Sequence, residues 1–280
     1  MARPSRRMDD MDLQKPKKVG DLLREWRNRR RLTQLDLALD AKISQRHLSF
    51  IELGRANPSR EMILRLCEQL DVPLRERNII LVTAGFASVF PEKSLNDPSL
   101  DAARHAIDSM LMGFEPNPVF VIDRHWTIVQ ANKAGNFLLK TVDASLLEPP
   151  SNILRIGLHP KGLTPHIINY TEWRKHILEY LNQQIELTAD AFLVELLEEL
   201  ESYPNPNQTQ DASCLPAENE YARVAIGLRL KSEAGIMSFI VTTTVFGTPI
   251  DVTLSELAIE VFFPADAETA QILRRILPTG

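Results

Sequence analysis

The chain has 280 residues, 44% hydrophobic and 25% charged, which suits two folded domains of ordinary size and argues against a disordered protein. No apolar run is long enough for a membrane-spanning helix, and Met1–Asp12 is charged without an apolar centre, so it does not read as a secretory signal. Cys67 and Cys214 have no spacing for a disulfide framework or a zinc site, and the expected compartment is a reducing cytoplasm. The net charge of -5 hides a split. Residues 1–90 carry 18 Lys+Arg and 12 Asp+Glu, a net of +6, and the rest carry 14 and 25, a net of -11. Such asymmetry points to a first half that meets a polyanion.

Residues 1–18 read as a flexible tail. Val19, Leu22, Leu23 and Trp26 fall at i, i+3, i+4 and i+7, which predicts a helix to about Arg30. Thr33 and Asp36 have the spacing of a capping box and open a second helix, with Leu35, Leu37 and Ala38 expected inward. Ser44 caps a third, which carries Leu48 and Ile51 and ends at Gly54. Pro58 and Ser59 open a fourth, with Met62, Ile63, Leu66 and Leu70 as its apolar face. Leu74 to Ala84 is a fifth. The connections are short, so 19–90 is an all-α domain of five helices. Gly85, Pro91 and Pro98 mark a linker, placed at 91–100, and 101–280 is the second domain.

That domain opens with a connecting helix, Asp101 to Phe114. Short strands follow at Val119–Ile122 and Thr127–Gln130, joined by a turn at Asp123–His125. Asn132 caps a helix to about Val142, Ile153–Leu158 is a short helix, and Thr171–Ile185 and Ala189–Tyr203 are longer ones. The polar, proline-bearing stretch 204–220 reads as a mobile loop. Val224, Ile226, Leu228 and Leu230 then alternate with other residues at a strand's period of two, as do Met237, Phe239, Val241 and Thr243. A third strand, Leu257–Phe263, precedes a helix at Ala267–Leu277. Two strands, several helices and three strands form a PAS-like order: an α+β domain with an antiparallel sheet, helices on one face, and room for a small molecule between them.

The run Gln34 to Ala38, with Ile43, Ser44, Leu48, Ser49, Ile51, Glu52 and Gly54, resembles the phage-repressor helix-turn-helix and the large XRE-like class of regulators. Ala38 is small where two helices would cross, Ile43 plugs the turn, and Leu48 and Ile51 fasten the third helix. Its free face then holds Gln45, Arg46 and Ser49. Arginine can take guanine O6 and N7 together, and glutamine can pair with adenine. Ser44 and Gln34, at helix N-termini, suit phosphate, and Arg55 and Asn57 could reach the next phosphates. Arg29, Arg30 and Arg31 add a basic edge. Phe50 either touches a thymine methyl or packs internally, and Glu52 reads as structural. Regulators of this type read two half-sites through a two-fold dimer, so a homodimer on double-stranded DNA is expected.

A closer resemblance rests on Arg46–Arg55, Pro58–Met62 and Val72–Asn78, together with Asp123–Trp126, Ala131, Asn132, Asn152–Arg155, His159, Pro160, Gly162, Glu172 and Trp173. Thr244–Pro249, Asp251–Thr253 and Phe262–Asp266 extend it. On these residues the chain resembles the MmyB-like regulators. That resemblance implies a bacterial transcription regulator whose PAS-like domain holds a fatty-acid-like effector, with no other cofactor. Phe120, Ile122, Trp126, Phe137, Leu138, Leu154, Phe239, Val241, Phe246 and Phe262 are compatible with an apolar pocket, and each is equally compatible with plain core. A carboxylic acid would need a polar anchor. Arg155 and His159, one helical turn apart, could serve, or could pair structurally. Trp173 reads as core or dimer contact. The histidines are scattered, and no nucleophile, phosphate-binding or metal motif occurs, so neither catalysis nor a metal is expected. The alternative is a second domain that only dimerises or binds a partner protein.

Overall fold

Helix α1 (Val19–Arg29) buries Leu23 and Trp26 on one face, as its spacing predicts. The next three helices begin where a short polar side chain satisfies an N-terminal amide. Thr33, Ser44 and Ser59 accept hydrogen bonds from the backbone N–H groups of Asp36, His47 and Met62 at 3.1, 3.1 and 3.2 Å. They start α2 (Gln34–Asp40), α3 (Gln45–Glu52) and α4 (Arg60–Gln69), and α5 (Leu74–Thr83) follows. Leu23, Leu37, Leu48, Ile51, Ile63, Leu66, Leu70 and Leu81 are fully buried together. Each contributes about 1.5–3 kcal/mol relative to exposure. Leu35, expected inward, is 51% exposed instead, because a helix of two turns buries only the stripe of Leu37 and Ala38.

The computed structural model describes residues 17–206, 227–247, 249 and 251–277, and the chain divides into two units between Phe90 and Pro91. Residues 1–16 of the expected tail 1–18 and most of the expected loop 204–220 lie outside the described residues, as do Val224 and Ile226. Residues 91–100, expected as a linker, are bound into the second unit. Pro91 O accepts from Val252 N at 2.8 Å, Lys93 O from Thr253 Oγ1 at 2.6 Å, and Leu95 O from Arg104 at 3.1 Å. Leu100 is buried there.

In this unit α6 (Asp101–Gly113) leads to β1 (Val119–Ile122) and β2 (Ile128–Ala131). Helix α7 (Lys133–Leu138), capped by Asn132, passes into a 3-10 turn at Leu139–Thr141, then the buried, β-branched Val142 turns extended. The helix expected to run on to Val142 is therefore shorter. Helices α8 (Ala144–Leu147), α9 (Ile153–Leu158), α10 (Tyr170–Thr188) and α11 (Ala191–Ser202) follow. The chain ends with β3 (Leu228–Ser232), β4 (Gly235–Val245), α12 (Val252–Ser255), β5 (Ala258–Pro264) and α13 (Ala267–Ile276).

The five strands form one antiparallel sheet in the order β2-β1-β5-β4-β3. One face carries Phe120, Ile122 and Phe262 into a core built with α9, α10 and α11. On the other, Val119, Val121, Ile259 and Val261 pack with Ile107 and Leu111 of α6. Helices thus cover both faces, where the sequence predicted one. The reason is legible in β1: all four of its residues are apolar and buried, the signature of a strand covered on both sides.

Gly20 marks the closest approach in the first unit. A Cβ added there would lie 2.2 Å from Ile51 O. Alanine normally improves an exposed helix position by about 1 kcal/mol over glycine. At this position the clash reverses the sign. Gly20→Ala should lower stability by about 1–3 kcal/mol in urea denaturation, the usual cost of overpacking.

Candidate nucleic-acid interface and apolar cavity

Helix α3 is held from beneath by a buried ion pair. Arg27 Nε and Nη2 donate to Glu52 Oε1 and Oε2 at 2.6 and 2.9 Å, and Arg27 Nη1 donates to Leu32 O at 2.8 Å. Glu52 is 2% exposed, and the Gln34 amide donates to its Oε2 at 2.8 Å. Gln34, expected on phosphate, therefore has its side chain engaged inside the unit, while its backbone stands at the start of α2. Arg24 adds a bond to Glu52 O at 3.0 Å. This network ties α1, α2 and α3 into one body.

With Leu48 and Ile51 buried beneath it, α3 leaves Gln45 and Arg46 exposed and Ser49 half-buried. The Arg46 guanidinium lies 5.4 Å from the centre of the Phe50 ring, so the half-buried Phe50 supports Arg46 by stacking. Ser44 is exposed, and its hydroxyl serves as the α3 cap. Arg55 and Asn57 are exposed just past the helix end. Of the expected basic edge, Arg31 is exposed, but Arg30 donates to Leu70 O and Asp71 O at 2.8 and 2.9 Å and so closes the end of α4. Arg29 and Arg30 both flank the Trp26 ring.

In the second unit a cavity of about 110 Å³ lies between the sheet and α9 and α10. Six predicted lining residues meet there: Phe120, Trp126, Leu138, Leu154, Val241 and Phe262. Ile122 and Phe239 belong to the same core without facing the space, and Phe137 packs at its margin. Phe246 is on the opposite side, packed in the cluster under α6. Neither proposed anchor lines the cavity. Arg155 is gripped by Glu199, through Nε at 2.9 and 3.0 Å and Nη2 at 2.7 Å, and this holds α9 to α11. The paired carboxylate raises the Arg155 pKa, and the guanidinium and the Tyr203 hydroxyl hold Glu199 below the ordinary carboxylate range. His159 Nδ1 accepts from Lys161 N at 3.0 Å, and its ring stands edge-on to Tyr203.

Sequence reasoning missed four lining residues on α10: Trp173, His176, Ile177 and Tyr180. They fall at i, i+3, i+4 and i+7, one face of a helix, so the signal was available. It also missed Glu260 and its cross-strand partner Thr243. Glu260 is 7% exposed, and its described side-chain partner, Thr243 Oγ1, stands at 3.4 Å. Burial pushes its carboxyl up to about 7. Tyr180 is raised as well, by burial and by the nearby Glu260 charge. Among the described residues no cluster of three or more His, Cys, Asp or Glu could hold a metal, and no helix is long and apolar enough to cross a membrane.

A capped, ion-paired helix-turn-helix followed by a sheet-and-helix domain with an internal apolar cavity defines a DNA-binding transcription regulator with a ligand-binding type of second domain. The comparisons narrow the class. The model described as "MmyB-like transcription regulator ligand binding domain" matches residues 103–276, and a helix-turn-helix model matches residues 23–77. The first match spans more than half of the chain, which belongs to the MmyB-like transcription regulator family. Two curated proteins called "Transcriptional regulator ClgR", from Mycobacterium tuberculosis strains CDC 1551 / Oshkosh and ATCC 25618 / H37Rv, are each 37% identical over 67 residues. The match covers 24% of this chain and 57% of theirs. A crystal structure of the clp gene regulator ClgR from Corynebacterium glutamicum shares 24% identity, covering 35% of this chain and 90% of that one, at a TM-score of 0.22.

Two outcomes follow. Glu52→Ala should cost about 3–5 kcal/mol in chemical denaturation, because it leaves Arg27 charged and buried without its partner. Replacing both by apolar residues of similar volume should recover most of that loss. For Glu260 the protonated form is favoured in the fold. Its contribution is complete below the ordinary pKa of 4.5 and is lost as pH rises through about 7. Wild-type stability should therefore fall across that window by roughly 3 kcal/mol more than that of Glu260→Gln, as read from thermal melts at stepped pH.

Proposed function

We propose that this regulator reads its operator with α3 and that an apolar small molecule in the second-unit cavity controls that reading. Gln45, Arg46 and Ser49 face the base edges in the major groove, with Arg46 on guanine. Ser44, Arg55, Asn57 and the start of α2 meet phosphates. The regulator acts as a homodimer on half-sites about one helical turn apart. The effector binds within the wall of Phe120, Trp126, Leu138, Leu154, Val241 and Phe262, a surface chemistry suited to an acyl or alkyl chain. Its influence on DNA equals its difference in affinity for the two arrangements of the reading helices, and nothing more. The observation that carries the reading is an internal apolar cavity in a chain whose other unit presents exposed residues on a rigidly held helix.

Arg46→Ala should weaken binding to a selected operator by about 1–3 kcal/mol and relax preference at one base pair, measured by fluorescence anisotropy. Unchanged affinity and preference would remove Arg46 from the bases. For the effector, the purified protein is extracted with organic solvent, the extract is analysed by mass spectrometry, and DNA affinity is compared before and after. A stoichiometric apolar molecule with a shift in affinity supports control through the cavity. An empty extract, unchanged affinity and a stoichiometric co-purifying protein would make the second unit a partner-binding module.

A further inference from the structure

A molecule in the cavity would meet the polar groups of its wall with its own head group. Arg155 is outside it, held by Glu199, and His159 is bonded to Lys161. Among the described residues, the side chains with polar atoms that line it are Glu260, Thr243, Tyr180, His176, Trp126 and Trp173. Glu260 is the one carboxylate, and it comes from the central strand, so it cannot swing away to solvent. Its described hydrogen bond, 3.4 Å from Thr243, is longer than an ordinary O–H···O contact of about 2.5–3.0 Å. A buried carboxyl with unused hydrogen-bonding capacity is costly unless something in the cavity completes it.

We propose that Glu260 is the recognition group of the cavity and that the effector is an apolar molecule bearing a hydroxyl head, not a carboxylate. This rests on the effector reading given above. A hydroxyl both donates and accepts, so it pairs with Glu260 in either protonation state. It can donate to the carboxylate or accept from the carboxylic acid, with Thr243 and Tyr180 at hand for its remaining capacity. A fatty-acid carboxylate meets a like charge instead, and the two must share one proton to coexist. The ring nitrogens available to such an acid from the cavity wall are those of His176, half-buried on α10 and packed beside Trp173.

The test uses the full-length protein stripped of extractable lipid, with hexanol and decanol set against hexanoic and decanoic acids. Binding is read by calorimetry and by the fluorescence of Trp126 and Trp173, both in the cavity wall. At pH 8 each alcohol should bind at least about tenfold tighter than the acid of equal length, a difference of about 1.4 kcal/mol. Glu260→Gln removes the charge but keeps an acceptor, so acid affinity should rise about tenfold while alcohol affinity changes less than about threefold. Acids that match or exceed alcohols in the wild type overturn the proposal and put the head group on His176. A preference for alcohols that Glu260→Gln leaves intact overturns it too. Where only the head-group assignment fails, some probe still binds and DNA affinity still responds to stripping. If no probe binds and stripping changes nothing, the effector reading falls with it.

Discussion

The second unit depends on the alternation of one strand. β5 lies between β1 and β4, so both its edges are paired and both its faces are covered. Ile259 and Val261 point to the side of α6, and Glu260 and Phe262 point to the cavity. A slip of one residue would exchange these sets, driving a carboxylate into the α6 core and two aliphatic side chains into the cavity. The register is fixed on both edges: Val121 faces Ile259 across β1, while Val241 faces Phe262 and Thr243 faces Glu260 across β4. The cavity lies against this face, walled by Phe120 and Phe262 of the sheet and by α9 and α10.

The first unit reaches its geometry differently. Its core is aliphatic, but α1 and α3 are aligned by a charged pair in which both Glu52 carboxylate oxygens and all three Arg27 guanidinium nitrogens are hydrogen-bonded. Such a pair adds little net stability over apolar packing, but it punishes any arrangement that separates its partners. Gly20 allows the same two helices to approach at backbone distance. The placement of α3 against α1 thus follows from one bidentate contact and one missing side chain.

Much of this was legible in the sequence where local chemistry sets local structure. Thr33, Ser44, Ser59 and Asn132 cap helices as their spacing indicates, and β1 and α9 match their expected spans. What escaped was whatever depends on partners distant in the chain. Arg155 lies in α9 and His159 caps its end, but sequence spacing is silent about Glu199, 44 residues further on, which takes Arg155. Asn169 is a similar case, bridging to Gly227 and Arg229 from 58 and 60 residues away. The stripe of Trp173, His176, Ile177 and Tyr180 was readable as one face, yet not as a face turned to empty space, since periodicity shows what is covered and not how closely. Glu260 is a charge within an apolar strand that the sequence reading passed over. Its side of the sheet became visible only once the neighbouring strands were in register.

The arrangement around Glu52 separates two kinds of residue. Arg27, Gln34 and Glu52 hold the helices together from within, while Gln45, Arg46, Arg55 and Asn57 stand outside that network. On the proposed reading, in which those exposed positions meet the DNA, a lineage rewrites its operator by changing them one at a time, with the scaffold's folding energy nearly untouched. The vocabulary of recognition is free to drift while its grammar stays put. On that same proposed reading the helix is a place to graft new sequence preferences by exchanging a handful of side chains.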